Sequence, residues 1–380
     1  MRSGLKARYF YVLCIVGLLG LSSCETGKFF PPPCKTNCSP TSSGNFIYVA
    51  NSSTSVSSVA AFTINSTPAV AALSGSPFTT ALPPNALAVT PKDTFLYVAS
   101  LSGGIYAYTM NSDGTLTVAN SGSPVATGVS PITMKIDPTG QWLIAADLTP
   151  QVYVFGINAS TGALTTQGNA VALDPGSTTN LIITPNGQYV FISLGTGGVD
   201  ILTFNSTTGV ISKLNQILNP KASTNADFGL ASDPNSTYLF VTETGINSVR
   251  VLTINTTGSS TLTELATSPV KTGLGPSQVI VADGSYVYVT NRTDGTISGF
   301  TLAANGSLTA LTGSPYTTGT APVDIVEDKS NTYIAVACVG GTPDMQVFAI
   351  STTTPGMLTP FASQTTGTDP TLASAIAATH

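Results

Sequence analysis

The 380-residue chain contains one histidine, His380, and this scarcity excludes much familiar catalysis. A Ser-His-Asp or Cys-His system needs an imidazole that is held firmly in place, and the final residue of a sequence is poorly suited to that role. A metal or haem site built from several histidines is excluded as well, and the sequence has no Cys-x-x-Cys pair. No glycine-rich phosphate loop follows a strand and opens a helix. Carboxylates, amides and hydroxyls remain as candidate functional groups.

Charged residues are also scarce, at 8% of the chain, and the formal net charge is -5. The sequence has no basic patch and therefore lacks the positive footprint that nucleic-acid binding requires, so we expect no nucleic-acid partner. Threonine, serine, glycine and asparagine supply most of the polar side chains. That composition is typical of many β-strands joined by short turns.

A long hydrophobic run is absent, because the one apolar stretch, residues 9–21, has 13 residues and is too short to span a membrane as a helix. Basic residues precede it, and Leu21-Ser22-Ser23-Cys24 follows it directly. This arrangement resembles the bacterial lipobox, which predicts a signal peptide over residues 1–23 and lipidation of Cys24. The alternative is an ordinary cleaved signal with an incidental cysteine. The lipobox implies a bilayer partner and a cell-envelope location, with the outer membrane favoured over the inner membrane.

The composition of residues 24–44 predicts a tether. Three prolines at residues 31–33 favour an extended segment, and a Ser/Thr-rich stretch follows them. Cys34 and Cys38 lie within the tether, and outside the cytoplasm a local disulfide between them is the simplest expectation. A metal site would need more ligands than this segment offers.

One short phrase occurs seven times at steps of 47 to 49 residues, from residues 47–51 (IYVAN) to residues 334–338 (IAVAC). A period in this range, built from strand-like segments, predicts a β-propeller. Each repeat also contains an apolar inner strand, a turn, an alternating third strand and a short outer strand. The sequence therefore predicts an all-β, seven-bladed propeller with four-stranded blades over residues 45–380. Blades bury their faces against their neighbours, so the array is one domain.

The two ends of the array predict how the ring closes. The first repeat begins at its second strand, and residues 370–377 form an unmatched inner strand at the other end. The C-terminal strand should therefore complete the first blade, which leaves no large unpaired sheet edge.

The propeller geometry places the loops after the second strands and before the inner strands on one face, around the mouth of the central channel. Four carboxylates are conspicuous there and are candidates for acid–base chemistry or for holding a divalent cation. No other metal or cofactor is expected. The alternative for each carboxylate is that it caps a turn or is solvated. The catalytic candidates are Asp147, Asp227, Glu243 and Asp324, and the ligand-binding candidates at the mouth are Asn51, Ser100, Asn180, Gln278, Asn291 and Arg292. The cations expected to neutralise the carboxylates are Arg250, Arg292 and Lys135.

Tyr288-Val289-Thr290-Asn291 is the signature of a repeat family, and residues 48–51 and 97–100 are variants of it. The chain resembles the YVTN-repeat and lactonase-like seven-bladed propellers of bacteria over residues 45–380. The resemblance implies the propeller fold. It also implies kinship with 6-phosphogluconolactonases, with fungal muconate-lactonising enzymes and with exported repeat proteins of no established reaction. No catalytic motif carries over residue by residue.

Two functions follow from these observations. The first is a membrane-anchored, monomeric, extracytoplasmic interaction module that binds a protein, peptide or glycan on one propeller face. The second is a lactone hydrolase, or a related sugar-acid enzyme, in which one of the four carboxylates activates water.

Overall fold

The structure, a computed structural model, describes residues 44–52, 57–65, 69–221, 227–258, 260–341, 343–367 and 375–380. The predicted signal peptide over residues 1–23, the lipidation site at Cys24, the tether and the Cys34–Cys38 pair lie outside the described residues and stay predictions.

The described residues form seven antiparallel sheets, each a blade. Blade 1 contains β1 (Phe46–Ser52), β2 (Ser57–Ile64), β3 (Val70–Ala72) and β4 (Phe78–Thr79). Blade 2 contains β5 (Ala86–Val89), β6 (Phe95–Ser100), β7 (Gly104–Met110) and β8 (Leu116–Val118). Blade 3 contains β9 (Pro131–Ile136), β10 (Trp142–Asp147), β11 (Gln151–Ile157), β12 (Leu164–Thr166) and β13 (Val171–Ala172). Blade 4 contains β14 (Asn180–Ile183), β15 (Tyr189–Ser193), β16 (Val199–Asn205) and β17 (Val210–Leu218).

Blade 5 contains β18 (Asp227–Ser232), β19 (Tyr238–Glu243), β20 (Ser248–Ile254), β21 (Leu262–Glu264) and β22 (Val270–Lys271). Blade 6 contains β23 (Pro276–Ala282), β24 (Tyr286–Asn291), β25 (Thr296–Leu302), β26 (Leu308–Ala310) and β27 (Tyr316–Thr317). Blade 7 contains β28 (Pro322–Glu327), β29 (Tyr333–Cys338), β30 (Met345–Ile350) and β31 (Leu358–Gln364), and the last strand, β32 (Ile376–Ala378), returns to blade 1. Two short 3₁₀ turns span Asn120–Gly122 and Thr244–Ile246. Within the described ranges, no helix is long and apolar enough to cross a membrane.

The C-terminal strand closes the ring as predicted. β32 pairs antiparallel with β1, with Tyr48 opposite Ala377. The described strand covers residues 376–378, and residues 368–374, which include most of the predicted strand, lie outside the described part. The seven-bladed fold and its closure are therefore confirmed.

The core consists of seven apolar clusters, one between each pair of neighbouring blades. Ile47 and Val49 of β1 pack towards blade 7, whereas Tyr48 and Ala50 pack towards blade 2. Successive strand residues point to opposite faces, so a blade in the ring buries both faces of its second strand. This explains why the repeated phrase is apolar throughout rather than alternating.

An aromatic residue in the repeated phrase, or directly before it, ties five of the blades to the next blade along the chain. The hydroxyl of Tyr48 donates to the carbonyl of Gly114 at 2.7 Å, in the hairpin between the third and outer strands of blade 2. The same contact recurs elsewhere: Tyr97 to Gly162 at 2.9 Å, Trp142 to Ser206 at 2.7 Å, Tyr238 to Ala304 at 3.0 Å and Tyr288 to Gly356 at 2.6 Å. An aromatic residue with a polar tip fits this position because the ring is buried while the tip meets an orphan carbonyl. Trp142 thus packs between blades 3 and 4.

Replacing Tyr288 with Phe should destabilise the fold by about 1–2 kcal/mol, because the carbonyl of Gly356 then stays buried without its donor. Urea unfolding followed by circular dichroism measures this change. Tyr286→Phe is the matched control from the same strand, since that hydroxyl makes no hydrogen bond within the described ranges. Equal midpoints for Tyr288→Phe and the parent would show that the tie contributes nothing.

In blades 4 and 5, the hydroxyl of the fourth residue of the phrase binds the inner strand of the next blade. The hydroxyl of Ser193 donates to the carbonyl of Phe228 at 2.8 Å, and that of Thr242 donates to the carbonyl of Ser277 at 2.9 Å. Ser277 in turn donates to the carbonyl of Pro322 at 3.0 Å. Blades 4 to 7 are therefore held together at the channel wall by side-chain hydroxyls.

Candidate functional site at the channel mouth

The mouth of the channel lies where the second strands end and the inner strands begin. Pairing places Asp147 opposite Pro131 and Asn291 opposite Pro276, so the end of each second strand adjoins the start of an inner strand. This arrangement brings the predicted site residues to one face. We call it the mouth face.

Asp147 is the last residue of β10, and its carboxylate binds main-chain N–H groups. Its Oδ1 accepts hydrogen bonds from the main-chain N–H of Ser130 at 2.9 Å and of Leu148 at 2.6 Å. Ser130 precedes Pro131, whose ring nitrogen has no hydrogen to offer the sheet. The carboxylate therefore caps the entry to the inner strand, which is the structural role that the sequence left open for it.

Glu243 ends β19, is fully buried and forms an ion pair with Arg250, whose Nη1 lies 2.8 Å from Glu243 Oε1. Arg250 stands two residues beyond the cross-strand partner of Glu243, so the two side chains are diagonal neighbours on one face. Arg250 Nη2 also contacts Glu264 Oε2 at 2.9 Å, and Lys221 Nζ contacts the same oxygen at 2.8 Å. The expected neutralisation of Glu243 by Arg250 is confirmed.

Burial by itself raises the pKa of Glu264, but hydrogen bonds from Arg250 and Lys221 outweigh it and hold that pKa below its ordinary value. The network also fixes the loop that follows β17. The main-chain N–H of Lys221 donates to Glu243 Oε1 at 3.0 Å, and Arg250 Nη1 donates to the carbonyl of Asn219 at 2.9 Å. These four charges therefore position a loop of the mouth face.

The other two carboxylate candidates belong to inner strands. Asp227 opens β18 opposite Glu243, and its side chain lies outside the described part of the chain. Asp324 in β28 accepts a hydrogen bond from the main-chain N–H of Ile376 at 3.1 Å. Asp324 thus joins blade 7 to the closing strand. Burial raises the pKa of this carboxyl to about 7, and the charge of Lys135 on β9 opposes that rise.

The stability of the protein should depend on pH through Asp324. With its pKa raised from 3.8 to about 7, the folded state holds a proton that the unfolded chain loses above about pH 4. Ionisation of Asp324 therefore lowers the free energy of unfolding as pH rises from about 4 to 7. We expect Asp324→Asn to be more stable than the parent at pH 8.5, by up to about 4 kcal/mol, with little gain at pH 4.

Urea unfolding at the two pH values measures this difference. Asp113→Asn is the control, because hydrogen bonds from Thr115 lower the pKa of that exposed carboxyl instead of raising it. A gain for Asp324→Asn that is equal at both pH values would contradict the titration.

Two amide candidates meet across the mouth. Asn180 of blade 4 donates through Nδ2 to Gln278 Oε1 of blade 6 at 2.5 Å, a contact that passes in front of blade 5. Asn180 Oδ1 is buried and has no hydrogen-bond partner among the described residues. The pair narrows the channel and leaves a buried acceptor at its entrance.

Asn51 serves the closure between blades 7 and 1. Its Nδ2 donates to the carbonyl of Thr366 at 2.7 Å, and Thr366 N–H donates to Asp344 Oδ1 at 2.7 Å. Ser100 Oγ accepts from the main-chain N–H of Ser102 at 3.3 Å and shapes its own turn. Both side chains have local structural partners.

The last two mouth candidates are neighbours of different character. Asn291 is buried, and its Nδ2 contacts the hydroxyls of Thr296 and Ser298, each at 2.9 Å. Arg292 is exposed, and its guanidinium makes no ion pair or hydrogen bond within the ranges that the structure describes. Arg292 was expected to neutralise a mouth carboxylate, and the structure does not place it on one.

The structure does not bring Asp147, Glu243 and Asp324 together, whereas Asp227 pairs with Glu243 across two strands of blade 5. They stand on blades 3, 5 and 7, and no group of three or more His, Cys, Asp or Glu side chains among the described residues could hold a metal ion. His380 lies at the other end of the channel, where its main-chain N–H donates to Asp93 Oδ1 at 2.8 Å and Lys329 Nζ contacts Asp93 Oδ2 at 2.8 Å. The Glu264–Arg250–Lys221 network and the loop at Leu274 were not predicted from the sequence. The spacing of Glu243 and Arg250 around a short hairpin was the available signal for the first.

Solved structures with this fold are numerous. A protein from Lactobacillus plantarum has a TM-score of 0.70 at 21% identity, and the match covers 89% of this chain and 99% of that one. A Bacteroides fragilis protein gives 0.72 at 20% identity over 90% of this chain and 100% of that one. The periplasmic gluconolactonase of Pseudomonas aeruginosa gives 0.68 at 17% identity over 89% and 99%. At these identities the likeness concerns the fold. No curated protein matches the sequence.

The family model described as "Lactonase, 7-bladed beta-propeller" matches residues 39–179 and 80–374. The two matches overlap, which is expected for a chain of similar repeats, and together they include nearly all of the propeller. The chain therefore belongs to the lactonase family of seven-bladed β-propellers.

Proposed function

We propose that the protein is an interaction module of the cell envelope, anchored to a bilayer through Cys24, that binds a partner on its mouth face. The main support is that Asp147 and Glu243 stand on separate blades and already have structural partners. Asp147 accepts main-chain hydrogen bonds, and Glu243 forms a buried ion pair with Arg250. Neither carboxylate is left to act as a base at a shared site. The mouth face instead exposes apolar and cationic side chains on loops of a rigid scaffold, and such loops commonly carry recognition.

Site-specific crosslinking tests the interaction. Leu148 and Leu274 lie on the mouth face and are 60% and 50% exposed, whereas Val118 and Val210 lie on outer strands and are 52% and 54% exposed. A p-benzoyl-phenylalanine at each of the four positions would be photolysed in envelope preparations. We expect discrete adducts from the mouth-face positions alone. Adducts from the outer positions alone, or from none of the four, would refute the proposal.

Replacing Cys24 with Ser should release the protein from the membrane fraction, because acylation supplies the anchor. Labelling with an alkyne fatty acid, followed by fractionation, measures both events. We expect a labelled, membrane-bound parent and an unlabelled, released variant. Cys34→Ser is the control and should remain anchored.

Asp324 and Lys135 favour a second candidate function, lactone hydrolysis, within this lactonase family. An ionised Asp324 would take a proton from water as that water attacks the lactone carbonyl, and Lys135 would stabilise the resulting oxyanion. The ring C–O bond then breaks, and the proton passes to the departing alkoxide to give the open hydroxy acid. Assays with glucono-δ-lactone test this route. It predicts kcat/KM rising with pH through about 7 and falling at least 100-fold in Asp324→Asn. Asp113→Asn is the control.

A further inference from the structure

A short loop before blade 6 holds an exposed leucine on the mouth face. The loop, residues 272–275, joins β22 to β23, and Leu274 is 50% exposed. The loop that follows β24 lies against it, because Arg292 N–H donates to the carbonyl of Gly275 at 2.8 Å. We refer to Lys271, Leu274 and Arg292 as the Leu274 platform.

The loop is held by the blades on both sides of it. Leu274 N–H donates to Asp294 Oδ2 at 2.6 Å, on the loop of blade 6. Gly275 N–H donates to Asn247 Oδ1 at 2.9 Å, on the loop of blade 5. The remaining two amides of the loop are also bonded: Thr272 to the carbonyl of Asn247 at 3.0 Å and Gly273 to Ser298 Oγ at 3.0 Å. A surface loop whose N–H groups are all satisfied in this way is rigid.

Two glycines allow the loop to lie this close to its neighbours. A Cβ at Gly275 would lie 2.3 Å from Thr293 Oγ1, and the residue has a φ of +65°. A Cβ at Gly273 would lie 2.7 Å from Asn291 Nδ2. The sequence Gly-Leu-Gly therefore fixes Leu274 against the protein and directs it outwards. A binding residue on an ordered backbone loses less conformational entropy when it binds than one on a mobile loop.

Two cationic residues belong to the same pair of adjoining segments, Lys271 at the end of β22 and Arg292 on the loop after β24. Lys271 Nζ donates to the carbonyl of Ile246 at 2.9 Å, which leaves two of its hydrogens for a partner. The Arg292 guanidinium is exposed and makes no polar contact with the described part of the chain. The carboxylate nearest to the leucine, Asp294, accepts the Leu274 amide. In a protein of net charge -5, an exposed apolar side chain on a segment that adjoins two exposed cationic residues is a distinctive surface.

We propose that the Leu274 platform is a docking surface for an acidic peptide segment of a partner protein. One apolar side chain of the segment packs on Leu274, and its carboxylates pair with Lys271 and Arg292. Protein interfaces combine an apolar centre with a charged rim in this manner. A neutral glycan would use neither cation, and a bilayer surface would require a larger apolar area. This inference rests on the proposed interaction function and adds the chemistry of the partner.

A random dodecapeptide library on phage is the probe, selected on the immobilised protein. We expect enriched peptides that carry Asp or Glu around a Leu, Ile, Met or Phe. Their Kd, measured by fluorescence polarisation, should rise at least 10-fold in Leu274→Ser and in the double variant Lys271→Gln/Arg292→Gln. It should also rise in 0.5 M NaCl, because the rim contacts are ionic. Val118→Ser and Lys92→Gln are the matched controls, since they remove an exposed apolar side chain of an outer strand and an exposed lysine of the opposite face.

The remaining outcomes each overturn the docking surface. Selection of peptides without acidic residues would refute the docking surface. Peptides whose affinity is unchanged in all platform variants would refute it as well. Binding of phosphatidylglycerol vesicles that depends on the same three residues would replace the peptide with a lipid surface. Crosslinks retained at Leu148 but absent at Leu274 would refute the platform while the interaction function stands. Crosslinks absent at both positions would refute the interaction function itself.

Discussion

Deletion of residues 375–380 should leave a chain that no longer unfolds cooperatively at the midpoint of the parent, with a loss on the order of 5 kcal/mol or more. Ile376 and Ala378 pack in the cluster between blades 7 and 1, and Ala377 packs in the cluster between blades 1 and 2. Without β32 both clusters open to water. The inner edge of β1 also becomes an unpaired strand edge, which invites aggregation.

Two further contacts disappear with the same deletion. Asp324 loses the main-chain N–H of Ile376, and Asp93 loses that of His380. Both carboxylates are buried, so the loss adds to the apolar term.

Thermal melts followed by circular dichroism measure the effect of the deletion. His380→Ala is the control and should remain close to the parent, because it keeps β32 and the main-chain N–H that bonds Asp93. A synthetic peptide of residues 368–380 should restore the midpoint in a concentration-dependent manner, since it binds the folded state alone. A truncated protein with an unchanged midpoint would show that the ring does not need its closing strand.

Arg250→Met should destabilise the protein by about 3–5 kcal/mol at pH 8, because it leaves the buried Glu243 carboxylate without its cation. Loss of Arg250 also removes the donor to Asn219, so the loop after β17 should become more mobile.

A double-mutant cycle isolates the pair. Glu243→Gln combined with Arg250→Met should be less destabilising than the sum of the two single changes, because no unpaired buried charge remains. Lys221→Met is the control, with an expected loss below about 1 kcal/mol, because the Lys221 side chain is 40% exposed. Strict additivity in urea unfolding would show that the ion pair does not act as a unit. The outcome also bears on catalysis, since a Glu243 needed for the fold is a poor candidate for a base.

Much of the fold was predictable because the strand signal repeats. A single apolar phrase such as residues 47–51 does not distinguish a buried strand from a buried helix, whereas seven copies at steps of 47 to 49 residues do. Ring closure was predictable by the same logic, because the first repeat lacks an inner strand. The predicted start of that strand at residue 370 stays a prediction, because residues 368–374 lie outside the described part of the chain.

The candidate site was only partly predictable. The period placed Asp147 and Glu243 on the mouth face, and the structure agrees. The repeat period does not predict which groups bind these two carboxylates. The Asp147 carboxylate caps the backbone beside Pro131, the residue opposite it. The Glu243 carboxylate forms an ion pair with Arg250, which lies diagonally across a hairpin. Leu274 was missed because exposure of one apolar residue has no periodic signature.

The sequence by itself determined the number of blades, the closing strand and the face on which each loop emerges. These properties depend on chain order and on local strand and turn preferences, which the repeat states seven times over. The tertiary structure decided which polar groups are bound by other parts of the protein and which can bind a ligand or partner. Asp147, Glu243 and Asn51 look alike on the mouth face until their partners from other strands and blades are in place. The physical reason is that a buried polar group takes the nearest partner in space, and in a ring that partner comes from a neighbouring strand or blade far along the chain.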